Sequence, residues 1–183
     1  MAQELVLTLG ELRLPGQLRI EFSCTNAGPR PLFVYACAAS RVVRPLPHRA
    51  YTALRQPEAA LHLSLGVPPI PKGLRVYVKV VPYAVLLRPG QRHADYLEVP
   101  VPVPEWQPYA DPQETADVEP AEVRRVLLST AYFGEPQLVR AARWDGAAGY
   151  FKAHGAPASS VQAALELHAP LPVLKRRDDF ERF

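Results

Sequence analysis

From Leu97 to Pro104 the chain reads Leu-Glu-Val-Pro-Val-Pro-Val-Pro, with proline at every second position from Pro100 onward. No other stretch restricts the fold as much. Residues i and i+2 of a strand turn their N–H groups to the same side, so Pro100, Pro102 and Pro104 remove the donors from one side of the segment. That side cannot join a ladder. Leu97, Val99, Val101 and Val103 still donate toward the other side, which predicts an edge strand with a single neighbour. Pro170 and Pro172 repeat the device in Ala169-Pro170-Leu171-Pro172-Val173, predicting a second protected edge, with one edge in each of two sheets.

The proline run closes a longer stretch, Leu74 to Val103, with a strong strand signal. Two period-two runs, Arg75–Val81 and Tyr96–Val103, flank Arg88-Pro89-Gly90-Gln91. Pro89 presets φ for the first central position of a type II turn, and Gly90 supplies the positive φ required at the second. The whole chain carries 21 prolines against 10 glycines, which argues against long helices. Its 183 residues, 48% of them hydrophobic, suffice for one packed core, read as a domain over 1–174 followed by a charged, mobile tail over 175–183. The N-terminus lacks the basic and apolar regions of a signal peptide, and no window spans a bilayer, so a cytoplasmic location is expected.

Leu5, Leu7 and Leu9 alternate with polar neighbours, and Leu12 and Leu14 are read as continuing that apolar face after Gly10. Leu18, Ile20, Phe22 and Cys24 alternate most cleanly of all and predict a half-buried strand. Leu32–Cys37 is apolar on both faces and reads as a central strand. Arg41–Pro57 reads as a long basic loop, Leu61–Leu65 as a short strand and Gln113–Glu122 as an exposed acidic loop. Val123–Phe133 has a helix-like start but the composition of a buried strand, and strand is preferred. Glu135–Ser159 is expected to be a long hairpin loop anchored onto the core by Trp144, Tyr150 and Phe151, before a last strand over Val161–Val173.

The Leu18–Val34 segment, with Asn26-Ala27-Gly28 at its centre, resembles the corner of bacterial immunoglobulin-like sandwiches, where a strand ends in Asn before the chain crosses to the other sheet. The likeness extends to the turn and strand over Leu87–Val103. It implies an all-β, immunoglobulin-like antiparallel β-sandwich of about seven to nine strands with long proline-rich loops. It implies no activity.

The chemistry-bearing residues form no recognised motif. No Gly-rich phosphate loop precedes a helix, and His48, His62, His93, His154 and His168 lack metal-ligand spacing. No cofactor and no metal are expected. Cys24 and Cys37 sit within strands, where a thiol is usually a small core group, and are expected to be reduced. A net charge of +3 spread along the chain makes a weak case for nucleic acid. Two surfaces stand out. Trp106 and Tyr109 flank Gln107-Pro108 in a rigid loop that can present an aromatic platform. Arg41, Arg44, Arg49 and Arg55 form a basic stretch suited to an acidic partner. The expectation is a non-catalytic adaptor or assembly subunit that binds a protein partner, with homo-oligomerisation through an unpaired edge left open. The rivals are a hydrolase whose scattered His and acids converge in the fold, and a weak nucleic-acid binder using residues 41–55.

Overall fold

Leu18, Ile20, Phe22 and Cys24 are all buried along one face of a ten-residue strand, as their alternation requires. The computed structural model describes residues 4–39, 52–56, 59–67, 70, 75, 81–105, 109, 118–144, 147–153 and 159–176. Among them lie twelve strands and one 3-10 turn, Pro136–Leu138. The strands are β1 Leu5–Leu14, β2 Gln17–Asn26, β3 Leu32–Ala39, β4 Thr52–Gln56, β5 Ala60–Ser64 and β6 Val81–Leu87. They continue as β7 Arg92–Pro100, β8 Val103–Pro104, β9 Val118–Phe133, β10 Val139–Trp144, β11 Ala147–Ala153 and β12 Ser159–Arg176.

These strands build two sheets. The small one has the order β1-β2-β7; the large one runs β10-β11-β6-β3-β9-β12-β8, with β5 beside β9 and β4 beside β5. The main core contains Leu18, Ile20, Leu97 and Val99 from the small sheet and Val34, Leu61, Leu63, Leu128 and Leu171 from the large one. Each fully buried aliphatic side chain contributes roughly 1.5–3 kcal/mol of transfer free energy. On the opposite parity of β3, Phe33 and Tyr35 join Phe133, Ala84 and Ala153 in a second cluster. β3 is central, between β6 and β9, which explains why it is apolar on both faces.

The turn at Arg88–Gln91 forms as its chemistry demands. Gly90 has φ +76° and Gln91 N–H donates to Arg88 C=O at 2.9 Å. The strands that flank it, β6 and β7, lie directly against the turn and belong to different sheets, so the turn carries the chain across the sandwich. Residues 76–80 lie outside the described set.

Among the described residues β7 is an edge, with β2 as its neighbour in the sheet. The proline run is not one strand, however. After Pro100 the chain leaves the small sheet through the cis Val101–Pro102 peptide, and β8 joins the large sheet in parallel beside β12. The donor parity survives this switch. Val101 N–H donates to Gly16 C=O at 3.0 Å and Glu105 N–H to Leu174 C=O at 3.0 Å, so the intervening prolines turn their donorless side away from both sheets. Asp95 Oδ1 adds protection by accepting Tyr96 N–H at 2.8 Å. The second edge expected at Pro170 and Pro172 is not one: β12 lies between β9, which it pairs along one side, and β8, which it meets at Val173 and Leu174 on the other.

Four further expectations change. Register between β1 and β2 is continuous from Leu5 opposite Asn26 to Leu14 opposite Gln17, so Gly10 does not reset the parity. Leu12 therefore faces outward and is 42% exposed, while Glu11 takes the parity of Leu5 and Leu7. Within the stretch read as a basic loop, Thr52–Gln56 is a strand paired with β5. β9 begins at Val118, and Val118–Glu122 pairs with Pro172–Arg176, so part of the acidic loop, and Lys175 and Arg176 of the tail, are strand. The hairpin expected after Glu135 is not a loop packed on the core but a pair of strands, β10 and β11, the second of which extends the large sheet beside β6. In each case the ladder partner decided what local composition does not reveal. For Val123–Phe133 the strand reading holds.

Candidate functional site

Register brings Leu86 of β6 opposite Phe33 of β3, and Phe33 opposite Phe133 of β9, so one apolar row crosses three adjacent strands. The Phe33 and Phe133 rings stack with centroids 5.5 Å apart, and Phe151 meets Phe33 edge-on at 5.2 Å. Such pairs add about 0.5–1.5 kcal/mol beyond area burial and hold the rings in place. Burial also pushes the Tyr35 phenol above its ordinary range.

At the end of this row, where the β2–β3 corner faces the β9–β10 connection, lies a cavity of about 760 Å³. Phe33, Leu86, Tyr132 and Phe133 contribute its apolar wall, and Glu4, Arg30 and Glu135 bring charges of both signs to it. The corner is held by Asn26, which is fully buried. Its Nδ2 donates to Arg30 C=O at 2.7 Å and Leu87 C=O at 2.9 Å, and its Oδ1 accepts Gly28 N–H at 2.9 Å. Its backbone accepts Gly90 N–H and donates to Gln91 C=O, and the adjacent Ala27 N–H reaches Glu4 C=O. One side chain thus ties both sheet-crossing turns together and positions the Arg30 and Glu4 side of the cavity. The Asn-x-Gly corner was visible in the sequence; its bond to Leu87, 61 residues away, was not.

A second cavity of about 470 Å³ lies on the outer face of the small sheet, over Thr8, Gly10, Ser23 and Ala94, with Glu21, Arg92 and Tyr96 around it. The Arg19 guanidinium sits 4.2 Å from the Tyr96 ring centroid and pairs with Glu98. Elsewhere, Glu11 forms a clasp between β1 and β12. Its carboxylate, 2% exposed, accepts Arg13 Nε–H at 2.6 Å and contacts His168 Nδ1 at 2.8 Å, while Oε2 also accepts His168 N–H at 3.1 Å. Burial pulls the Glu11 carboxyl pKa upward, but the hydrogen bonds from Arg13 and His168 outweigh it and leave the group below its ordinary value.

Of the residues singled out in the sequence, Trp106, Arg41, Arg44 and Arg49 lie outside the described set. Tyr109 is half-buried. Arg55 lies in β4, with its backbone opposite Leu61 of β5. The residues lining the 760 Å³ cavity went unnoticed because Phe33, Tyr132 and Phe133 read simply as strand apolars. Cys24 is buried, and burial pushes its thiol pKa up to about 12, so it is no nucleophile near neutral pH. Among the described residues no three His, Cys, Asp or Glu side chains gather as a metal site, and no helix is long and apolar enough to cross a membrane.

Fold and site together define an all-β protein of two stacked sheets with an aromatic-walled cavity at one end. No protein-family model, no curated protein and no solved structure matches the chain.

Proposed function

We propose that this protein is a protein-interaction module, an adaptor or assembly subunit of a larger complex, and that the 760 Å³ cavity receives an apolar side chain of its partner. The observation that carries this reading is the combination of an apolar, ring-stacked wall with charges of both signs around it. Interfaces draw their binding energy from apolar and aromatic anchors seated in preformed pockets, with polar rims that exclude water. Asn26 and the stacked rings supply the preformation, which lowers the ordering cost of binding.

The fold reading goes with this proposal. The order β1-β2-β7 against β6-β3-β9-β12, with crossings at β2–β3 and β6–β7, supports an immunoglobulin-like sandwich to which β4, β5, β8, β10 and β11 are additions. On sequence grounds Trp106, Tyr109 and the Arg41, Arg44, Arg49 and Arg55 stretch remain in the proposal as a second contact surface.

The test uses Gly134, which lines the cavity and whose added Cβ would come no closer than 4.0 Å to Pro31 C=O, so a bulky side chain can be placed at the cavity without a backbone clash at Cβ. Peptides selected from a displayed library against the full chain should carry an apolar or aromatic anchor. Their binding should weaken at least roughly tenfold with Gly134→Leu, an anchor being worth about 2 kcal/mol or more. Equal binding by wild type and Gly134→Leu would overturn the proposal.

A further inference from the structure

On the outer face of the large sheet, His62 alternates with buried Leu61 and Leu63, and Ser129 with buried Leu128 and Thr130. β5 runs parallel to β9 with Leu63 opposite Leu128 and Ser64 opposite Ser129. That register sets His62 Nε2 2.8 Å from Ser129 Oγ, within reach for proton transfer between them. Burial pulls the imidazole pKa below its ordinary value, so the ring is neutral near pH 7. With its proton on Nδ1, Nε2 accepts the serine hydroxyl.

Ser129 also lines a cavity of about 290 Å³, separate from the docking cavity, together with Ser64, Gly66, Thr130 and Ser160. Two hydrogen-bond donors there are open to a ligand. Gly66 N–H donates to Ser64 Oγ at 3.2 Å, a long bond to a rotatable hydroxyl, so the hydroxyl can swing its proton toward an incoming oxyanion and leave the amide N–H beside it open to the same oxygen. Thr130 Oγ1, by contrast, is committed to Tyr35 C=O at 2.6 Å. A nucleophile, a base within hydrogen-bond distance and candidate oxyanion donors therefore adjoin one concavity, the arrangement that acyl transfer requires.

We propose that Ser129 is a nucleophilic serine with His62 as its base, and that the 290 Å³ cavity takes the acyl group of a small ester. Ser129 Oγ bonds to the ester carbonyl carbon as its proton passes to His62 Nε2, and Gly66 N–H and Ser64 O–H hydrogen-bond the oxyanion. Collapse breaks the bond to the alkoxide, which leaves as the alcohol with the proton from His62. Water, deprotonated by the same ring, then attacks the acyl-serine; the bond from the acyl carbon to Ser129 Oγ breaks as Oγ takes the proton back from His62 and the carboxylic acid leaves, so ester and water become acid and alcohol.

The test treats the full chain with a fluorophosphonate, in which Ser129 Oγ displaces fluoride from phosphorus, and locates the adduct by peptide mass spectrometry. A single adduct at Ser129 is expected, absent in Ser129→Ala and formed roughly 10²–10⁴-fold more slowly in His62→Gln. The labelling rate should be level around neutral pH and fall in acid as His62 protonates. Circular dichroism checks both variants. Should His62→Gln unfold, Ser64→Ala takes its place, with labelling slowed by up to roughly 10²–10³-fold. No adduct at Ser129 in folded wild type, or an adduct formed equally fast in the folded His62→Gln or Ser64→Ala variant, overturns the proposal. Neither result bears on peptide binding in the 760 Å³ cavity.

Discussion

Replacing Asn26 by alanine removes three hydrogen bonds at the point where the chain crosses twice between the sheets. The bond to Leu87 C=O is buried, so its loss leaves an acceptor without water and costs about 1–3 kcal/mol. The bonds to Arg30 C=O and Gly28 N–H are only part-buried, and solvent can replace them for roughly 0.5–1 kcal/mol each. The sum is about 2–5 kcal/mol, a large share of the 5–15 kcal/mol typical of a whole domain. In a chain of this size that lowers Tm by roughly 4–20 °C. Asn26→Asp sharpens the reasoning, because it keeps the shape and the acceptor for Gly28 but replaces the donor to two carbonyls with a buried carboxylate. At neutral pH it should be less stable than alanine, and acidification should recover part of the difference as the protonated acid regains a donor. Urea unfolding at pH 7 and pH 4, with unchanged m-values, measures both variants. An alanine variant within about 0.5 kcal/mol of wild type, or an aspartate variant as stable as wild type, would refute the pinning role.

Three further outcomes are expected. Glu11→Gln should destabilise the β1–β12 clasp by about 1–2 kcal/mol at neutral pH through loss of its charge-assisted bonds. Because the folded carboxyl pKa is depressed below 4.5, that contribution is present above the unfolded pKa and fades as pH falls through the folded one, so the wild-type and Gln curves should converge in acid. Gly90→Ala should cost about 1–2 kcal/mol in urea unfolding, from backbone strain at φ +76° alone, since an added Cβ meets nothing within 4 Å. Iodoacetamide at neutral pH should leave Cys24 unmodified in the folded chain and alkylate it on unfolding, as peptide mapping would show.

Much of the small sheet was legible from residue order alone. Period-two alternation marks the buried face of Leu18–Cys24, Pro89-Gly90 specifies a turn, and alternating prolines mark an edge, because each rests on backbone geometry within a few residues. The same local logic misread Leu12, since a glycine in a strand can mark a bulge and here does not. It also missed the candidate sites, whose residues carry ordinary strand patterning.

What only the tertiary structure decided are the partnerships across the fold. Asn26 meets Leu87, Glu11 meets His168 and His62 meets Ser129 across 61, 157 and 67 residues of sequence respectively. Alternation tells which face of a strand is apolar, but not which sheet it joins or which side chain lies opposite. Ladder register and sheet crossings settle those, and through them place the aromatic row, the Asn26 pin and the serine–histidine pair.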